Sequence, residues 1–281
     1  MDETIGILHP GEMGISIAAS AKNSGYAIVW ASEGRSPQTH ARAQEHALVD
    51  AGSLEALCQT CSVILSVCPP HAAEAVARQA LELGFKGLYA DFNAISPQRA
   101  ARIGEMLESG GIAFVDGGII GGPAWKPGAT WLYLSGSQAA PVAGYFSAGP
   151  LETQVIGEKV GKASALKMCY ASYTKGTTAL LCAVFGAAEA LDVRNELEMQ
   201  WSRDEAGAAD RAEERVRRVT AKAWRFSGEM EEIAATFCEA GMPGGFHQAA
   251  AEVYQRLAGF KGQASAPAFA EVLSALLDQY D

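Results

Sequence analysis

The sequence predicts an α/β protein with two domains: a doubly wound parallel sheet at residues 1–160 and an all-α domain at residues 161–281, joined by one long helix. Short apolar runs alternate with amphipathic stretches in the first of these ranges, which is typical of βαβ units. After Gly161 the apolar pattern is helical, and no convincing strand follows Ile156. A chain of 281 residues also exceeds the usual size of a single domain.

The elements of the first domain follow from the period of its apolar residues. Ser96 followed by Pro97 marks a helix start, because serine caps helices and proline is favoured at their first position. Gly25 and Gly84 stand where helices are expected to end. The predicted helices are Met13–Ser24, Pro37–His46, Ala72–Leu83 and Pro97–Ser109. The predicted strands are Ile5–Leu8, Ala27–Trp30, Val63–Val67, Leu88–Asp91, Ala113–Asp116, Trp131–Leu134 and Gln154–Ile156.

The second domain is predicted to contain helices only. The long stretch Lys162–Leu191 has few charges and is apolar around its circumference, so we expect it to be buried between domains or subunits. The charged run Asp210–Arg218 is interpreted as a solvated helix face with ion pairs between residues four apart. Further helices are predicted at Glu196–Trp201, within Asp204–Glu239, and at Gly245–Leu257.

Composition limits the possible partners and the compartment. A net charge of −10 argues against nucleic acid and anionic membranes, since both attract basic surfaces. No stretch approaches the roughly 20 apolar residues of a membrane span, and Asp2 and Glu3 stand where a signal peptide carries basic residues. The six cysteines lie mostly in apolar runs, as in reduced intracellular proteins. We therefore expect a cytoplasmic protein.

The cysteine spacing resembles that of a zinc site, but the predicted strand between the two cysteine pairs argues against one. Cys58-x-x-Cys61 followed by Cys68-x-x-His71 resembles a set of zinc ligands. The predicted strand between the two pairs would hold Cys61 and Cys68 roughly 23 Å apart, much too far for one metal ion. No metal is therefore predicted.

The first βα turn carries a nucleotide-binding pattern. A dinucleotide-binding turn has the pattern G-x-G-x-x-G, and Gly11 and Gly14 stand at its second and third glycines, whereas His9 and then Pro10 replace its beginning. The strand before this turn and the helix after it favour a Rossmann-type cofactor loop over two ordinary turn glycines. The cofactor-binding residues expected here are His9, Pro10, Gly11, Glu12, Met13 and Gly14.

The end of the second predicted strand favours NADP. NAD sites usually place an acid there, whereas an arginine accommodates the 2′-phosphate of NADP. Ser32, Arg35 and Ser36 follow this strand, and a guanidinium binds phosphate in a bidentate manner. Glu33 is the counter-evidence, so NAD stays possible. The expected cofactor is NADP.

With this loop, the sequence resembles the β-hydroxyacid dehydrogenase and 6-phosphogluconate dehydrogenase superfamily, and more closely a poorly characterised subgroup with its own helical C-terminal domain. Val67–Pro70 and Asp91–Pro97 resemble the loops that lie against the cofactor and lead to the nicotinamide. The resemblance therefore implies cofactor contacts from Cys68, Pro69, Pro70 and Asn93. In the C-terminal domain, Arg225–Ile233 and Gly241–His247 resemble the subgroup.

The substrate motif of the superfamily is partly kept. Asp116–Gly122 matches its acid and its last two glycines, which implies that Gly121, Gly122 and Asn93 lie near the substrate. Ile120 replaces a serine that hydrogen-bonds the substrate carboxylate in the superfamily. This loss suggests a substrate other than a standard β-hydroxyacid, whose identity the sequence does not reveal.

The resemblance also supplies a candidate acid/base. Val160–Lys167 resembles the catalytic motif and places Lys167 at the catalytic lysine, while Tyr170 replaces the expected asparagine. An apolar helix is expected to lower the pKa of the amine. Tyr170 and Thr174 share the face of Lys167 by helical spacing, so Tyr170 is a second catalytic candidate and Thr174 a substrate contact. Lys175 is a weaker alternative acid.

Three functional hypotheses follow. The leading one is an NADP-preferring oxidoreductase that acts on a small carbonyl or alcohol substrate, with Lys167 as acid/base. The second is an imine reductase of the same fold, in which Tyr170 suffices as the proton donor. The third is an NADP-binding sensor or subunit without turnover. A homodimer is expected, because the long apolar helix exposes more apolar surface than one subunit can cover.

Overall fold

The computed structural model describes residues 3–263 and 265–278. The chain divides into two compact units, residues 1–168 and 169–281. The sequence-based boundary after residue 160 stays a prediction.

The first unit is built on one eight-stranded sheet with the order β3-β2-β1-β4-β5-β6-β7-β8. All neighbouring strands are parallel except β6 and β7, which are antiparallel. This arrangement confirms the doubly wound α/β fold. The strands are β1 Thr4–Leu8, β2 Ala27–Trp30, β3 Val49–Asp50, β4 Val63–Ser66, β5 Leu88–Asp91, β6 Ala113–Gly121, β7 Thr130–Ser135 and β8 Glu152–Gly157.

Helices surround this sheet, and two of them begin after serine residues that cap the N-terminus of the helix. Ser36 caps its helix by accepting a hydrogen bond from the backbone N of Thr39, and Ser53 does the same for Ala56. The helices are α1 Glu12–Asn23, α2 Pro37–Glu45, α3 Leu54–Thr60, α4 Ala73–Glu82, α5 Pro97–Ser109 and α6 Ala139–Gly144, with a short 3-10 turn at Pro70–Ala72.

The strands read as continuous apolar runs because both faces of the sheet are covered. Alternate residues of β1 belong to different cores: Ile5 and Ile7 pack in one cluster with Trp30, whereas Leu8 packs in the other with Ile64. The two cores hold the strands rigidly, so the loops at their carboxyl ends start from defined positions.

Three short elements of the first unit were not predicted, and one of its strands is longer than predicted. The strand β3 has two exposed residues, and α3 and α6 have seven and six residues, too few to show a clear period. The strand β6 was expected to end at Asp116 but continues to Gly121, because these residues pair with β7 from Asp116–Ser135 to Gly121–Thr130. The glycine-rich substrate motif is therefore strand and not loop.

The second unit is helical throughout its described residues. The long helix α7 (Lys162–Ala190) begins in the first unit and continues into the second. The helices that follow are α8 Arg194–Asp204, α9 Ala208–Glu239, α10 Gly245–Arg256 and α11 Phe269–Leu277, with a 3-10 turn at Ala258–Phe260. Among the described residues after Gly157 there is no strand, as predicted. None of the described helices combines the length and hydropathy that a membrane span requires.

The charged run on α9 has the predicted ion pairs. Arg217 lies 4.0 Å from Glu213, and Arg218 lies 3.9 Å from Glu214. The helix starts at Ala208 and not at Asp204, because Gly207 adopts a left-handed conformation with φ of 72° that separates α9 from α8. The helix α11 was not predicted.

Candidate cofactor and catalytic site

The carboxyl ends of the central strands define the candidate site in the first unit. Leu8, Ser66, Asp91 and Asp116 stand in register across β1, β4, β5 and β6. We call the edge that follows this row the carboxyl edge. The strand order reverses between β1 and β4, and doubly wound sheets bind their ligands in the crevice outside the strand ends at such a point.

The loop after β1 has the shape that a dinucleotide needs. His9 adopts φ of 66°, a left-handed conformation that the first glycine of the pattern usually supplies. Its carbonyl accepts a hydrogen bond of 2.7 Å from the backbone N of Gly11. A Cβ on Gly14 would lie 2.4 Å from that carbonyl, so only glycine fits there, whereas a Cβ on Gly11 would lie 4.0 Å from the same carbonyl, at ordinary contact distance. The N-terminus of α1 follows at once, which suits a pyrophosphate.

Arg35 and His9, both partly exposed residues, each hold one buried nitrogen atom. The Nε of Arg35 and the Nδ1 of His9 are both buried, and neither has a hydrogen-bond partner among the described residues. Burial and, to a smaller extent, the charge of Arg35 lower the pKa of His9 to about 4, and a hydrogen bond with the Leu8 backbone opposes the fall. Burial also lowers the pKa of Arg35. The imidazole is therefore neutral at pH 7, and both residues hold unused polar atoms.

Ser32 and Ser36 are less directly placed for a cofactor. The Ser36 hydroxyl already serves the α2 cap, accepting from the backbone N of Thr39 at 3.3 Å. Ser32 contributes its carbonyl to the turn that presents Arg35, whose backbone N donates to it at 3.1 Å. The side chain of Glu33, which argued for NAD, is exposed. Contacts from Ser32 and Ser36 to a cofactor stay predictions.

Asn93 connects two loops at the carboxyl edge. Its Oδ1 accepts from the backbone N of Cys68 at 2.5 Å, and its Nδ2 donates to Ser66 Oγ at 3.1 Å and to Asp91 Oδ2 at 2.9 Å. The residue is only 3% exposed. The amide thus holds the Val67–Pro70 loop in place, and a direct contact from it to the nicotinamide or the substrate stays a prediction.

Burial dominates the titration of the groups around Asn93. It raises the pKa of Asp91 to about 7, although hydrogen bonds from Asn93 oppose the rise. It also raises the pKa of the Cys68 thiol to about 12, with a further contribution from the charge of Asp91. Cys68 is therefore a neutral thiol at physiological pH and not a nucleophile. In this loop the Pro70 carbonyl accepts a hydrogen bond from Arg99 at 3.1 Å, and contacts from Pro69 and Pro70 to the cofactor stay predictions.

Asp116 anchors the beginning of α7. Its Oδ2 accepts hydrogen bonds from the Ser135 hydroxyl and from the backbone N of Gly161, Ala163 and Ser164, at 2.8 to 3.1 Å. Its Oδ1 accepts from the Ser164 hydroxyl. Burial raises the pKa of Asp116, and these hydrogen bonds oppose the rise. The acid of the substrate motif is thus the acceptor that fixes the first turn of the helix carrying Lys167.

Lys167 lies against a glycine of the same motif. A Cβ on Gly118 would meet the Ala163 carbonyl at 2.6 Å and the Lys167 Cβ at 3.0 Å, so the absence of a side chain lets α7 approach β6. Gly118 stands two residues beyond Asp116, outside the carboxyl edge. Lys167 is partly buried there. The structure therefore holds the predicted acid/base just beyond the strand ends, on the side of the sheet where a cofactor would bind.

The other predicted substrate glycines have structural reasons of their own. Gly121 adopts φ of 125°, and a Cβ there would lie 2.4 Å from the Ala129 carbonyl, so the entry into β7 requires glycine. Gly122 faces open space, and its carbonyl accepts from the Thr130 hydroxyl at 2.7 Å. Both glycines are exposed, so their backbone groups stay candidates for a substrate contact.

The second unit contains the remaining candidates. Tyr170 is 48% exposed, and its carbonyl accepts from the Thr174 hydroxyl at 3.2 Å. Lys175, the alternative acid, is bound to Glu229 and lies 4.3 Å from the centroid of the Phe226 ring. Burial lowers the pKa of Lys175, and Glu229 opposes this. Lys175 is thus committed to a buried ion pair, which is typical of a structural lysine.

Sequence reasoning did not identify Ser135 and Ser164. Both hydroxyls contact Asp116, and Ala163 N also donates to Ser135 Oγ at 3.1 Å. Ser164 lies in the predicted catalytic motif, three residues before Lys167, and could have been identified as a helix-start residue. No sequence signal marks Ser135, because its role depends on the pairing of β7 with β6.

Two families match this chain. Residues 4–143 match the NAD binding domain of 6-phosphogluconate dehydrogenase. Residues 188–257 match DUF1932, a domain of unknown function. An uncharacterized 28.5 kDa protein from Methanothermus fervidus is 32% identical over 166 residues, which cover 59% of this chain and 63% of that protein. The match thus spans less than two thirds of that relative.

Solved structures share the fold across both units. A conserved protein of unknown function, described as similar to 3-hydroxyacid dehydrogenases, is 27% identical over 92% of this chain and 97% of its own, with a TM-score of 0.66. A 3-hydroxyisobutyrate dehydrogenase from Salmonella typhimurium is 17% identical over 97% and 99%, with a TM-score of 0.70. An imine reductase from Myxococcus stipitatus, in complex with NAD+, is 19% identical over 99% and 100%, with a TM-score of 0.55.

These matches agree with the geometry of the cofactor loop and confirm the predicted family resemblance. Residues 4–143 of the first unit thus form a domain of the type found as the NAD binding domain of 6-phosphogluconate dehydrogenase, and residues 188–257 of the second unit form a DUF1932 domain.

Proposed function

We propose that this protein is an NADP-preferring oxidoreductase that transfers hydride between the nicotinamide and a small carbonyl or alcohol substrate, with Lys167 as the acid/base. The observation that carries the proposal is the position of Lys167 against Gly118, two residues beyond Asp116 on β6 and outside the carboxyl edge. The hydrogen bonds of Asp116 hold the first turn of α7 at that position.

The residues of the first loop fit the dinucleotide. Gly11 has no side chain beside the N-terminus of α1, so a pyrophosphate could approach its backbone, and Gly14 permits the close packing of that helix against the loop. Arg35 follows β2, where the adenosine ribose binds in this fold, and its unused Nε–H supports the preference for a 2′-phosphate. When bound, NADP would supply the hydride chemistry.

The chain itself manages the proton. In the reductive direction the Lys167 ammonium donates a proton to the carbonyl oxygen as negative charge develops there. In the oxidative direction the neutral amine accepts the proton of the alcohol. The exposed backbone of Gly121 and Gly122 offers donors and acceptors for the polar part of a small substrate. Tyr170 stays a predicted second catalytic residue and Thr174 a predicted substrate contact.

The second candidate is an imine reductase, and Ile120 is the observation that favours it. The superfamily serine that binds a substrate carboxylate is absent at this position, so a substrate without a carboxylate would lose no hydrogen bond. A protonated C=N bond also needs less help from a proton donor. The retained Lys167 favours the first candidate.

Assembly and location stay predictions. Tyr173, Leu180 and Leu191 on or just after α7 are 74%, 50% and 72% exposed in the second unit, which supports a homodimer that covers them. No described residue tests the predicted cytoplasmic location.

A substrate panel with matched lysine variants tests the proposal. Purified protein is given NADPH or NADP with short aldehydes and ketones, the matching alcohols and cyclic imines. We expect turnover of a carbonyl or alcohol probe, a loss of about 100-fold or more in kcat for Lys167→Ala, and an unchanged NADPH Kd. Lys162→Ala is the control, because Lys162 is an exposed lysine in the first turn of the same helix.

Each other outcome selects a competing hypothesis. Turnover of imines alone supports the imine reductase. NADPH binding without turnover of any probe supports a sensor or subunit. Near-normal kcat in Lys167→Ala would show that Lys167 is not the acid/base.

A further inference from the structure

We propose that the aromatic rings of Trp131 and Tyr133 on β7 bind the non-reacting part of the substrate, and that this substrate is an aldehyde, ketone or alcohol that carries an aromatic ring and no carboxylate. We call these two rings the aromatic platform. The inference rests on the proposed function, because it takes Lys167 as the group that acts on the substrate. It names the substrate class of that same site.

Both rings of the platform lie on the face of the sheet against which α7 packs. Residues that stand opposite each other in an antiparallel pair point to the same face, with Cβ atoms about 4.5–5.5 Å apart. Ser135 stands opposite Asp116, and both accept a hydrogen bond from the backbone N of Ala163, in the first turn of α7. Tyr133 and Trp131 alternate with Leu134 and Leu132 along β7, so they share the face of Ser135.

The platform adjoins the proposed acid/base at one glycine. Tyr133 stands directly opposite Gly118, and a Cβ on Gly118 would lie 3.0 Å from the Lys167 Cβ. The next pair on this face is Ile120 with Trp131. Ile120 stands where the superfamily has the serine that binds a substrate carboxylate. An apolar surface therefore takes the place of a hydrogen-bonding group beside Lys167.

The platform is accessible and its two rings support each other. Their centroids lie 6.3 Å apart, with an angle of 21° between the ring planes. Trp131 keeps 38% of its surface exposed, whereas Leu132, which points to the opposite face, is fully buried. Exposed apolar surface next to a few polar groups is typical of a ligand-binding site. A flat aromatic group is the ligand that stacks best on an indole ring.

The charge beside the platform disfavours an acidic substrate. Glu152 on β8 stands in register with Trp131, and its carboxylate accepts a hydrogen bond of 3.1 Å from the backbone N of Gly128. This contact holds a negative charge beside the indole, where it would repel a substrate carboxylate. An uncharged aromatic ring meets no such repulsion and gains the stacking contact.

Three aldehydes test the inference. Phenylacetaldehyde carries an aromatic ring, 4-oxobutanoate a carboxylate and butanal a short alkyl chain, and each is reduced with NADPH. We expect the native protein to have a kcat/KM about tenfold higher for phenylacetaldehyde than for the other two. Trp131→Ala should lower this value about tenfold, mainly through KM, and leave butanal within about twofold.

Two further tryptophan variants are the controls. Trp131→Phe keeps an aromatic ring and should retain most of the preference for phenylacetaldehyde. Trp125→Ala removes a tryptophan of the same unit that is 48% exposed and stacks on His46, and it should leave all three aldehydes unchanged. Both tryptophans are exposed, so the variants are expected to fold, and urea denaturation checks this.

A binding measurement tests the platform without turnover. With NADPH bound, 2-phenylethanol and 1-butanol cannot react, because the alcohol and the cofactor are both already reduced. Calorimetry gives their Kd values. We expect the native protein to bind 2-phenylethanol about tenfold more tightly than 1-butanol and Trp131→Ala to bind the two alcohols about equally.

The outcomes separate the inference from the proposed function. If no probe is turned over but 2-phenylethanol binds more tightly through Trp131, the proposed function fails and the aromatic platform is supported. If 4-oxobutanoate is reduced more efficiently than phenylacetaldehyde, only the inference on the substrate class is wrong. If Trp131→Ala changes no KM or Kd but changes the oligomeric state in light scattering, the rings contact a second copy of the chain, and the inference is also overturned.

Discussion

The two ends of the carboxyl edge differ in how their buried polar groups are satisfied. At the β6 end, Asp116 accepts hydrogen bonds with both oxygens from groups of the chain itself. At the end beside β2, His9 and Arg35 hold buried nitrogen atoms without a partner among the described residues. Asn93, between them, uses both atoms of its amide within the unit.

This difference separates a positioning function from a binding function. A buried carboxylate with several internal donors stabilises one geometry, and Asp116 thereby fixes the helix turn that leads to Lys167. A buried donor without a partner is stable only if a ligand satisfies it or if the fold tolerates its cost. The same edge therefore has one end whose buried polar groups are satisfied within the chain, which we propose to be the catalytic end, and one end with two unsatisfied buried nitrogen atoms.

The largest expected loss of stability is at the β6 end of the carboxyl edge, where Asp116 satisfies the buried donors. Asp116→Ala should lower the free energy of unfolding by about 4 kcal/mol, because it leaves several buried donors without an acceptor. Urea denaturation measures this loss. Ser135→Ala removes only one of the donors and should cost about 1 kcal/mol. An equal loss for both variants would contradict the anchoring role of Asp116.

The next largest change in stability is expected at His9, where a buried nitrogen has no partner among the described residues, and it depends on pH. The pKa of His9 is about 4 in the folded protein and 6.5 as its ordinary value, so the unfolded chain binds a proton first as pH falls. The native protein therefore loses stability below pH 6.5, down to about pH 4, and His9→Gly does not. Without cofactor, His9→Gly should be more stable than the native protein by about 1 kcal/mol at pH 7.5 and about 3 kcal/mol at pH 5.

Denaturation at the two pH values gives this difference. His71→Gln, at an exposed histidine of the same unit, should show no such pH dependence relative to the native protein. A constant difference between His9→Gly and the native protein would show that His9 is not held neutral by burial.

The smallest effect tests the contact between α7 and β6. Gly118→Ala places a Cβ 2.6 Å from the Ala163 carbonyl, so the first turn of α7 must shift, at a cost of about 2 kcal/mol. Gly144→Ala is the control, because its Cβ would meet open space. If both variants unfold at the same urea concentration, the close approach at Gly118 is not important for stability.

Much of the fold could be predicted from the sequence because both faces of the sheet are buried. Strands such as Val63–Ser66 are then uninterrupted apolar runs, and the helices between them show a clear period and cap residues. Short elements gave no such signal, as β3 and α6 show. The continuation of β6 to Gly121 was missed because glycines have low strand propensity, and only pairing with β7 makes them strand.

The sequence by itself determined the order of the strands and helices, the glycine spacing of the cofactor loop and the candidate lysine, because these depend on residues close together in the chain. The tertiary structure decided what the polar side chains do. Asp116 is hydrogen-bonded to Ser164, which is 48 residues away in the sequence, and the side chain of Asn93 is hydrogen-bonded to Cys68, which is 25 residues away. Whether a buried polar atom is satisfied depends on such distant partners, and this is why only the folded chain distinguishes the end of the edge anchored by Asp116 from the end where His9 and Arg35 hold unsatisfied nitrogen atoms.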